Sequence, residues 1–171
     1  VLFLACLVGL LGALNVLQYA FTWDAGIDQL LFNEPQGTIG TYSPGRMALN
    51  TAISFCLLGI ALATMKRRDH WTNAIVQCSA LAIGLFGILV LLAYSYGLSG
   101  FTGIAVYTQM ALHTAALFVL LRIGVLCLQP DAGLMAVITA KGPGAYMARR
   151  LMLAAVGVPI VLGWLVASGE M

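Results

Sequence analysis

The sequence predicts an all-α fold, a polytopic transmembrane helix bundle with short interfacial helices. Three observations predict it. The 171-residue chain is 61% hydrophobic and only 8% charged, against roughly 25% charged in a soluble domain. Its apolar residues fall into long runs, each near the roughly 20 residues that cross a hydrocarbon core. Seven of its eight Lys and Arg residues lie in or beside two short gaps between those runs. Such clustering marks the cytoplasmic side of a membrane protein.

Five spans are expected, at about residues 1–21, 44–65, 71–96, 104–128 and 146–166. The first, Val1 to Phe21, has neither a basic lead nor a clear cleavage site, so it reads as a span rather than a signal peptide. The stretch from Asp24 to Phe32 then places Ile27, Leu30 and Leu31 on one helical face, which predicts a short helix on the outer membrane surface. Ser43 and Pro44 look like an N-cap and first helical position for the second span. That span ends at Met65, before Lys66, Arg67 and Arg68.

The third span starts at Trp71 and ends near Tyr96. The fourth runs from about Ile104 to Leu128. Gln129-Pro130-Asp131-Ala132-Gly133 reads as a turn, and Leu134 to Ile138 as a short interfacial segment. Gly142-Pro143-Gly144 breaks it before the fifth span. With Lys66–Arg68 and Lys141–Arg150 inside, the N-terminus is cytoplasmic, and residues 22–43 and about 97–103 lie outside. Asp24, Asp28 and Glu34 then collect outside. Trp23, Tyr42, Tyr107 and Trp164 mark the outer boundary, and Trp71 the inner one. The chain starts without Met and stops abruptly after Glu170-Met171, so it reads as a piece of a longer polypeptide.

One segment recurs. Met47-Ala48-Leu49-Asn50-Thr51-Ala52 returns as Met110-Ala111-Leu112-His113-Thr114-Ala115. In the same register Phe55, Leu57, Leu58 and Ile60 match Phe118, Leu120, Leu121 and Ile123. Both copies run from outside to inside, the arrangement of a parallel repeat about an axis along the membrane normal. Asn50 and His113 are therefore expected at similar depth.

Polar groups inside a membrane are costly and tend to face the bundle interior. Most of them here share the outer level: Asn15, Gln18 and Tyr19; Arg46, Asn50, Thr51 and Ser54; Tyr94 and Tyr96; Thr108, Gln109, His113 and Thr114. Asn73 and Gln77 are the main inner exceptions. Two readings stay open. Either these groups bond one another and hold the bundle together, or they line a ligand or signal pocket open to the outside. The candidate ligand-binding residues are Asp28, Arg46, Asn50, Thr51, Tyr94, Gln109, His113 and Thr114.

His113 is placed about 13 Å below the outer end of its helix, from the 1.5 Å rise per residue. It could be a satisfied packing residue, a proton or ligand contact, or an axial ligand to a tetrapyrrole. A lone His without thiolates or carboxylates at ligand spacing argues against a metal site. Arg46 could pair with Asp24, Asp28 or Glu34, snorkel to headgroups, or bind an anionic ligand. The four cysteines lie in apolar runs without a CxxC and behave as small hydrophobes. No HExxH, GxSxG, phosphate loop or paired intramembrane carboxylates are present, so this segment offers no catalytic site. The net charge of +2 is small and localised, which excludes nucleic acid as a partner and leaves lipid headgroups.

Gly26-Ile27-Asp28-Gln29-Leu30-Leu31, Pro44-Gly45-Arg46-Met47-Ala48-Leu49-Asn50-Thr51-Ala52 and Thr108-Gln109-Met110-Ala111-Leu112-His113-Thr114-Ala115 resemble the multi-helix membrane input module of bacterial sensor histidine kinases. Gln129 to Met135, Gly142-Pro143-Gly144 and Ala148-Arg149-Arg150-Leu151 share the resemblance, which covers nearly the whole chain. It implies a module that precedes cytoplasmic PAS, GAF and kinase or cyclase parts. It also implies a sixth span after Met171 and a dimer. Asp28, Gln29, Arg46, Asn50, Thr51, Thr108, His113 and Thr114 match the family's characteristic positions. Its ligand is not implied, and any catalysis belongs to the kinase part of a full-length protein.

The sequence thus points to an inner-membrane sensor module. Its expected partners are the bilayer, an output domain in cis and a second copy or larger membrane complex. The rival reading is a structural or cofactor-binding subunit of a larger assembly, with His113 on a tetrapyrrole. A small-solute transporter is a third, disfavoured by the lack of charged residues at the midplane.

Overall fold

A computed structural model describes residues 2–23, 26–28, 45–67, 69–96, 109–131 and 133–169. Among them the chain is all-helical: α1 (Leu2–Phe21), α2 (Leu49–Thr64), α3 (His70–Ser95), α4 (Leu112–Cys127), α5 (Gly133–Thr139) and α6 (Pro143–Gly169). α1 pairs with α2, α2 with α3, and α3 with α4, while α6 packs on α5. The buried core joins Leu58 and Ala61 of α2, Val76, Ala80, Ile83 and Val90 of α3, and Ala115, Phe118, Val125 and Leu126 of α4.

Within the described residues, two helices are long and apolar enough to cross a membrane, Leu2–Phe21 and His70–Ser95. Their limits follow the sequence expectation closely. α2 and α4 are apolar but shorter, 16 residues each, or about 24 Å. Five spans therefore do not follow from helix length. The short outer helix expected at Asp24–Phe32 lies largely outside the described residues, as do Ser43, Pro44 and Ile104 to Thr108; residues 26–28 are not helical. The inner segment does form a helix, α5. It starts at Gly133 with φ +51, where a side chain would collide with Gln77. Gln77 Oε1 accepts the Leu134 N–H at 3.3 Å and so caps this short helix.

The second helix begins at Leu49, five residues after Pro44. Gly45 has φ +71, a left-handed conformation that interrupts an α-helix. Ala48 is extended at φ −58, ψ 142, and the helix begins at Leu49. Two bonds explain the stop. The Met47 carbonyl, which would bind Thr51 N–H in a continuous helix, instead accepts the Tyr19 hydroxyl at 2.8 Å. Thr51 N–H goes to Asn50 Oδ1 at 3.2 Å.

The fourth helix repeats this start. Ala111 is extended at φ −69, ψ 147, and α4 begins at Leu112. The Met110 carbonyl accepts the Tyr94 hydroxyl at 3.1 Å. The expected start at Ile104 lies outside the described residues; α4 as described begins at Leu112, which puts His113 in the first turn of its helix rather than deep below its end.

The structure extends the repeat to the preceding helices. Gly9, Leu10, Gly12, Leu14, Leu17 and Tyr19 of α1 correspond to Gly84, Leu85, Gly87, Leu89, Leu92 and Tyr94 of α3. Gly12 lies against Ala52 and Cys56; Gly87 lies against Ala115 and Val119, their repeat counterparts. Gly9 faces Gly59, and Gly84 faces the counterpart Arg122. Glycine lets the paired backbones approach closely, as in membrane helix packing. α1–α2 and α3–α4 are two antiparallel hairpins with matching glycine contacts and tyrosine bonds, joined by α2 against α3 and followed by α5 and α6. The matched rings Phe55 and Phe118 meet edge to face, with centroids 5.4 Å apart.

Candidate functional site

The two hairpins share a frame but differ in chemistry. Along one stripe of α1, Gly12, Asn15, Gln18 and Tyr19 are buried. At the matched places α3 buries Gly87, Val90 and Ala93. On α2, Asn50, Thr51 and Ser54 are buried. Their α4 counterparts are His113, Thr114 and Leu117; His113 and Leu117 are exposed and Thr114 half-buried. Polar burial is therefore concentrated in the first hairpin, near the loop that joins α1 to α2.

An ion pair sits at that end. Arg46 Nε lies 3.0 Å from Asp28 Oδ2, with side-chain exposures of only 8% and 7%. The Arg46 guanidinium also donates to the Trp23 carbonyl at 3.4 Å and lies over the Tyr19 ring, 5.4 Å from its centroid. Of the three acids that Arg46 could choose, Asp28 is the observed partner; Asp24 and Glu34 lie outside the described residues. Asp28 follows α1 and Arg46 precedes α2, so the pair ties the two ends of the loop together.

Below it, Asn50 links the hairpins. Its Nδ2 approaches Met110 Sδ at 3.4 Å. Its carbonyl accepts the Ser54 hydroxyl at 2.7 Å. Met110, buried at 1% exposure, also receives Tyr94 on its own carbonyl. Asp28, Arg46, Asn50, Thr51 and Tyr94 therefore belong to one connected region of ion pair, helix starts and core contacts. Gln109 and His113 lie at the surface beside it. Among the described residues, the buried polar side chains of this level lie on α1, on α2 and just before α2, and Asn50 bridges to the second hairpin at Met110.

Asn15 and Gln18, which the sequence places with the outer polar residues and not among the candidate ligand-binding ones, are buried on α1. Their signal was present in the sequence: amides where the matched helix carries Val90 and Ala93. It becomes visible only once α1 and α3 are aligned through their glycines and tyrosines. Arg122 is one of the seven basic residues counted in or beside the two gaps. It lies inside α4, over Gly84, and its Nε is buried without a partner.

At the opposite end, a cleft of about 610 Å³ is lined by Met65, Lys66, Asn73, Leu128, Gln129, Pro130 and Asp131. It contains none of the candidate residues. Among the described residues there is no cluster of three His, Cys, Asp or Glu that could hold a metal, and the four cysteines are free. No family model, no curated protein and no solved structure matches this chain.

Proposed function

We propose that this chain is the membrane-embedded input module of a bacterial signal-transduction protein, sensing a ligand, lipid or proton change at the Arg46 end. The single observation behind this reading is the buried Arg46–Asp28 pair, which clasps the α1–α2 loop above a layer of buried polar side chains. Breaking one partner of a buried pair costs about 3–5 kcal/mol. A ligand that competes for either partner therefore has enough leverage to shift a two-state packing. Movement of the α2 start reaches Met110 through Asn50, and α4 leads through α5 to α6. α6 would deliver the shift to a cytoplasmic output domain in cis, in an inner-membrane homodimer or larger complex.

The test uses the full-length protein. Asp28→Asn and Arg46→Gln should each lock the output high or low and abolish its response. Wild-type signalling by both variants would refute the proposal. The exposure of His113 favours a second reading, in which an external group such as a tetrapyrrole docks on this face within a larger membrane assembly. A Soret or chlorophyll band in the purified protein, lost in His113→Ala, would support it.

A further inference from the structure

We infer that the cleft between the ends of α2 and α4 binds a phosphoethanolamine group, its phosphate toward Lys66 and its ammonium toward Asp131, and that a zwitterionic phospholipid presents this group. The cleft lies at the opposite end of the molecule from Arg46, and the inference does not depend on the sensing role proposed there.

The cleft is made by the repeat. The interval that separates Met47 from Met110 carries Met65 onto Leu128 and Lys66 onto Gln129. All four line the cleft, so each hairpin contributes the same two positions. Asn73, in the first turn of α3, and Asp131, just after α4, complete the polar walls. At about 610 Å³ the space falls within the range of small-ligand sites, about 300–1,000 Å³.

Hydrogen bonds fix the walls. The N–H groups of Met65 and Leu128 bond the Ala61 and Gly124 carbonyls at 3.0 and 3.2 Å. Gln129 N–H bonds the Leu126 carbonyl at 3.1 Å. The Thr72 hydroxyl donates to the Arg67 carbonyl at 2.8 Å and holds the turn from α2 to α3.

The repeat matches positions but not charges. The first hairpin has Lys66 where the second has Gln129, and Arg68 where the second has Asp131. One wall of the cleft is therefore cationic and the other anionic. Among the described residues the ion pair is Arg46–Asp28, so Lys66 and Asp131 share a cleft without pairing. The helix ends favour the same polarity. α3 begins at His70, just after Lys66, and its N-terminal dipole favours an anion. α4 ends at Cys127, just before Asp131, and its C-terminal dipole favours a cation.

This charge pattern selects the ligand. Asp131 repels a bare anion, and Lys66 repels a bare cation. A neutral group leaves both charges unmatched. A zwitterion meets both, and a primary ammonium also donates to the side-chain carbonyls of Asn73 and Gln129. A trimethylammonium has no N–H to give. Apolar Met65 and Leu128 lie beside the charges, and Trp71 next to the cleft is 79% exposed. Basic and aromatic residues together mark the headgroup level of a bilayer, which makes a lipid the source of the group.

The test uses the chain in lipid nanodiscs. Its two lysines are Lys66 and Lys141. Both are exposed, and Lys141 lies outside the cleft. A pulse of an amine-acetylating reagent, read by mass spectrometry as the ratio of Lys66 to Lys141 labelling, reports occupancy with an internal reference. Relative to phosphatidylcholine discs, added phosphatidylethanolamine should lower the ratio about threefold, as for a site about two-thirds filled. Phosphatidylglycerol should not lower it. Asp131→Asn should abolish the protection, and Asp131→Glu should retain most of it. Arg67→Gln removes a charge beside the cleft and should leave the protection intact. Asp131 is exposed, so its variants should fold; if they do not, lipid selectivity in the wild-type chain decides. Protection by soluble phosphoethanolamine in phosphatidylcholine discs, with none from the lipid, upholds the site and replaces the lipid with a free solute. Equal protection by phosphatidylglycerol, or protection that survives Asp131→Asn, overturns the inference, because Lys66 then meets only anionic headgroups. Absence of protection by both the lipid and the soluble probe overturns it as well.

Discussion

The Tyr94 hydroxyl donates to the Met110 carbonyl at 3.1 Å, and both residues are one repeat removed from Tyr19 and Met47, whose bond is 2.8 Å. Each tyrosine ends one helix and secures the carbonyl just before the next helix begins. The pairing fixes where α2 and α4 start, and with that the depth of Arg46, Asn50 and His113.

Tyr19→Phe and Tyr94→Phe should therefore have matched effects. Each removes the hydroxyl bond to that carbonyl and keeps the ring, at a net cost of about 1 kcal/mol for that bond. Thermal melts in nanodiscs would measure both. If one variant lost much more than the other, the two helix starts would not be equivalent.

Glycine positions should separate into tight and open classes. A methyl group on Gly12 would come 2.6 Å from the Ala52 carbonyl oxygen, and on Gly87 2.9 Å from that of Ala115. Gly12→Ala and Gly87→Ala should each cost about 1–3 kcal/mol, because backbone must move. Gly124 has nothing within 4 Å of an added methyl. Gly124→Ala should be neutral or stabilise by up to about 1 kcal/mol through helix propensity. Melting of the three variants side by side checks the order.

The ion pair should show strong coupling in a double-mutant cycle. Asp28→Asn alone leaves a cation at 8% exposure, and Arg46→Gln alone leaves an anion at 7%. Each should cost about 3–5 kcal/mol, and the double variant much less than their sum. Additive losses would place the pair in an exposed, screened setting instead.

The long apolar elements were legible because composition and length suffice to mark them. α1 and α3 end within one residue of their expected limits. The helix starts at Leu49 and Leu112 were not, because Pro44 and the apolar residues after Ile104 satisfy every local helix rule. What stops those helices is tertiary: Tyr19 and Tyr94 claim carbonyls from another helix. The short motif Met-Ala-Leu-Asn/His-Thr-Ala revealed half of the repeat. Its other half, shared glycines and a tyrosine among leucines, looks like ordinary membrane composition until the contacts align it. The Arg46–Asp28 pair is one of three pairings that charge alone allowed, and it is the one seen among the described residues. His113 shares a repeat position with Asn50 but not its surroundings, since α2 has α3 packed beside it and the matching face of α4 is open.

Arg122 provides the most discriminating test of the duplication. In the first hairpin Gly9 faces Gly59; in the second, Gly84 faces Arg122, whose aliphatic stem fills the space a Gly84 side chain would need. Gly84→Ala must displace that stem. A flexible side chain yields more readily than backbone, so the cost should be smaller than that of Gly87→Ala, about 1 kcal/mol or less. In an Arg122→Gly background the obstruction is gone and the pair becomes glycine to glycine, as in α1 and α2. There the Gly84→Ala loss should change character, because the nearest obstacle is then the α4 backbone, as Gly59 is met by the Gly9 backbone and the Ala5 carbonyl. The hairpin can close further onto the vacated space, and the penalty should grow rather than vanish. A double-mutant cycle of melting temperatures reads the sign directly. A larger Gly84→Ala loss in the Arg122→Gly background than in the wild-type chain means the two hairpins share one closed geometry, held apart in the second by a single arginine. A smaller loss means that Arg122 alone defines the contact and the likeness of the hairpins ends at Gly12 and Gly87.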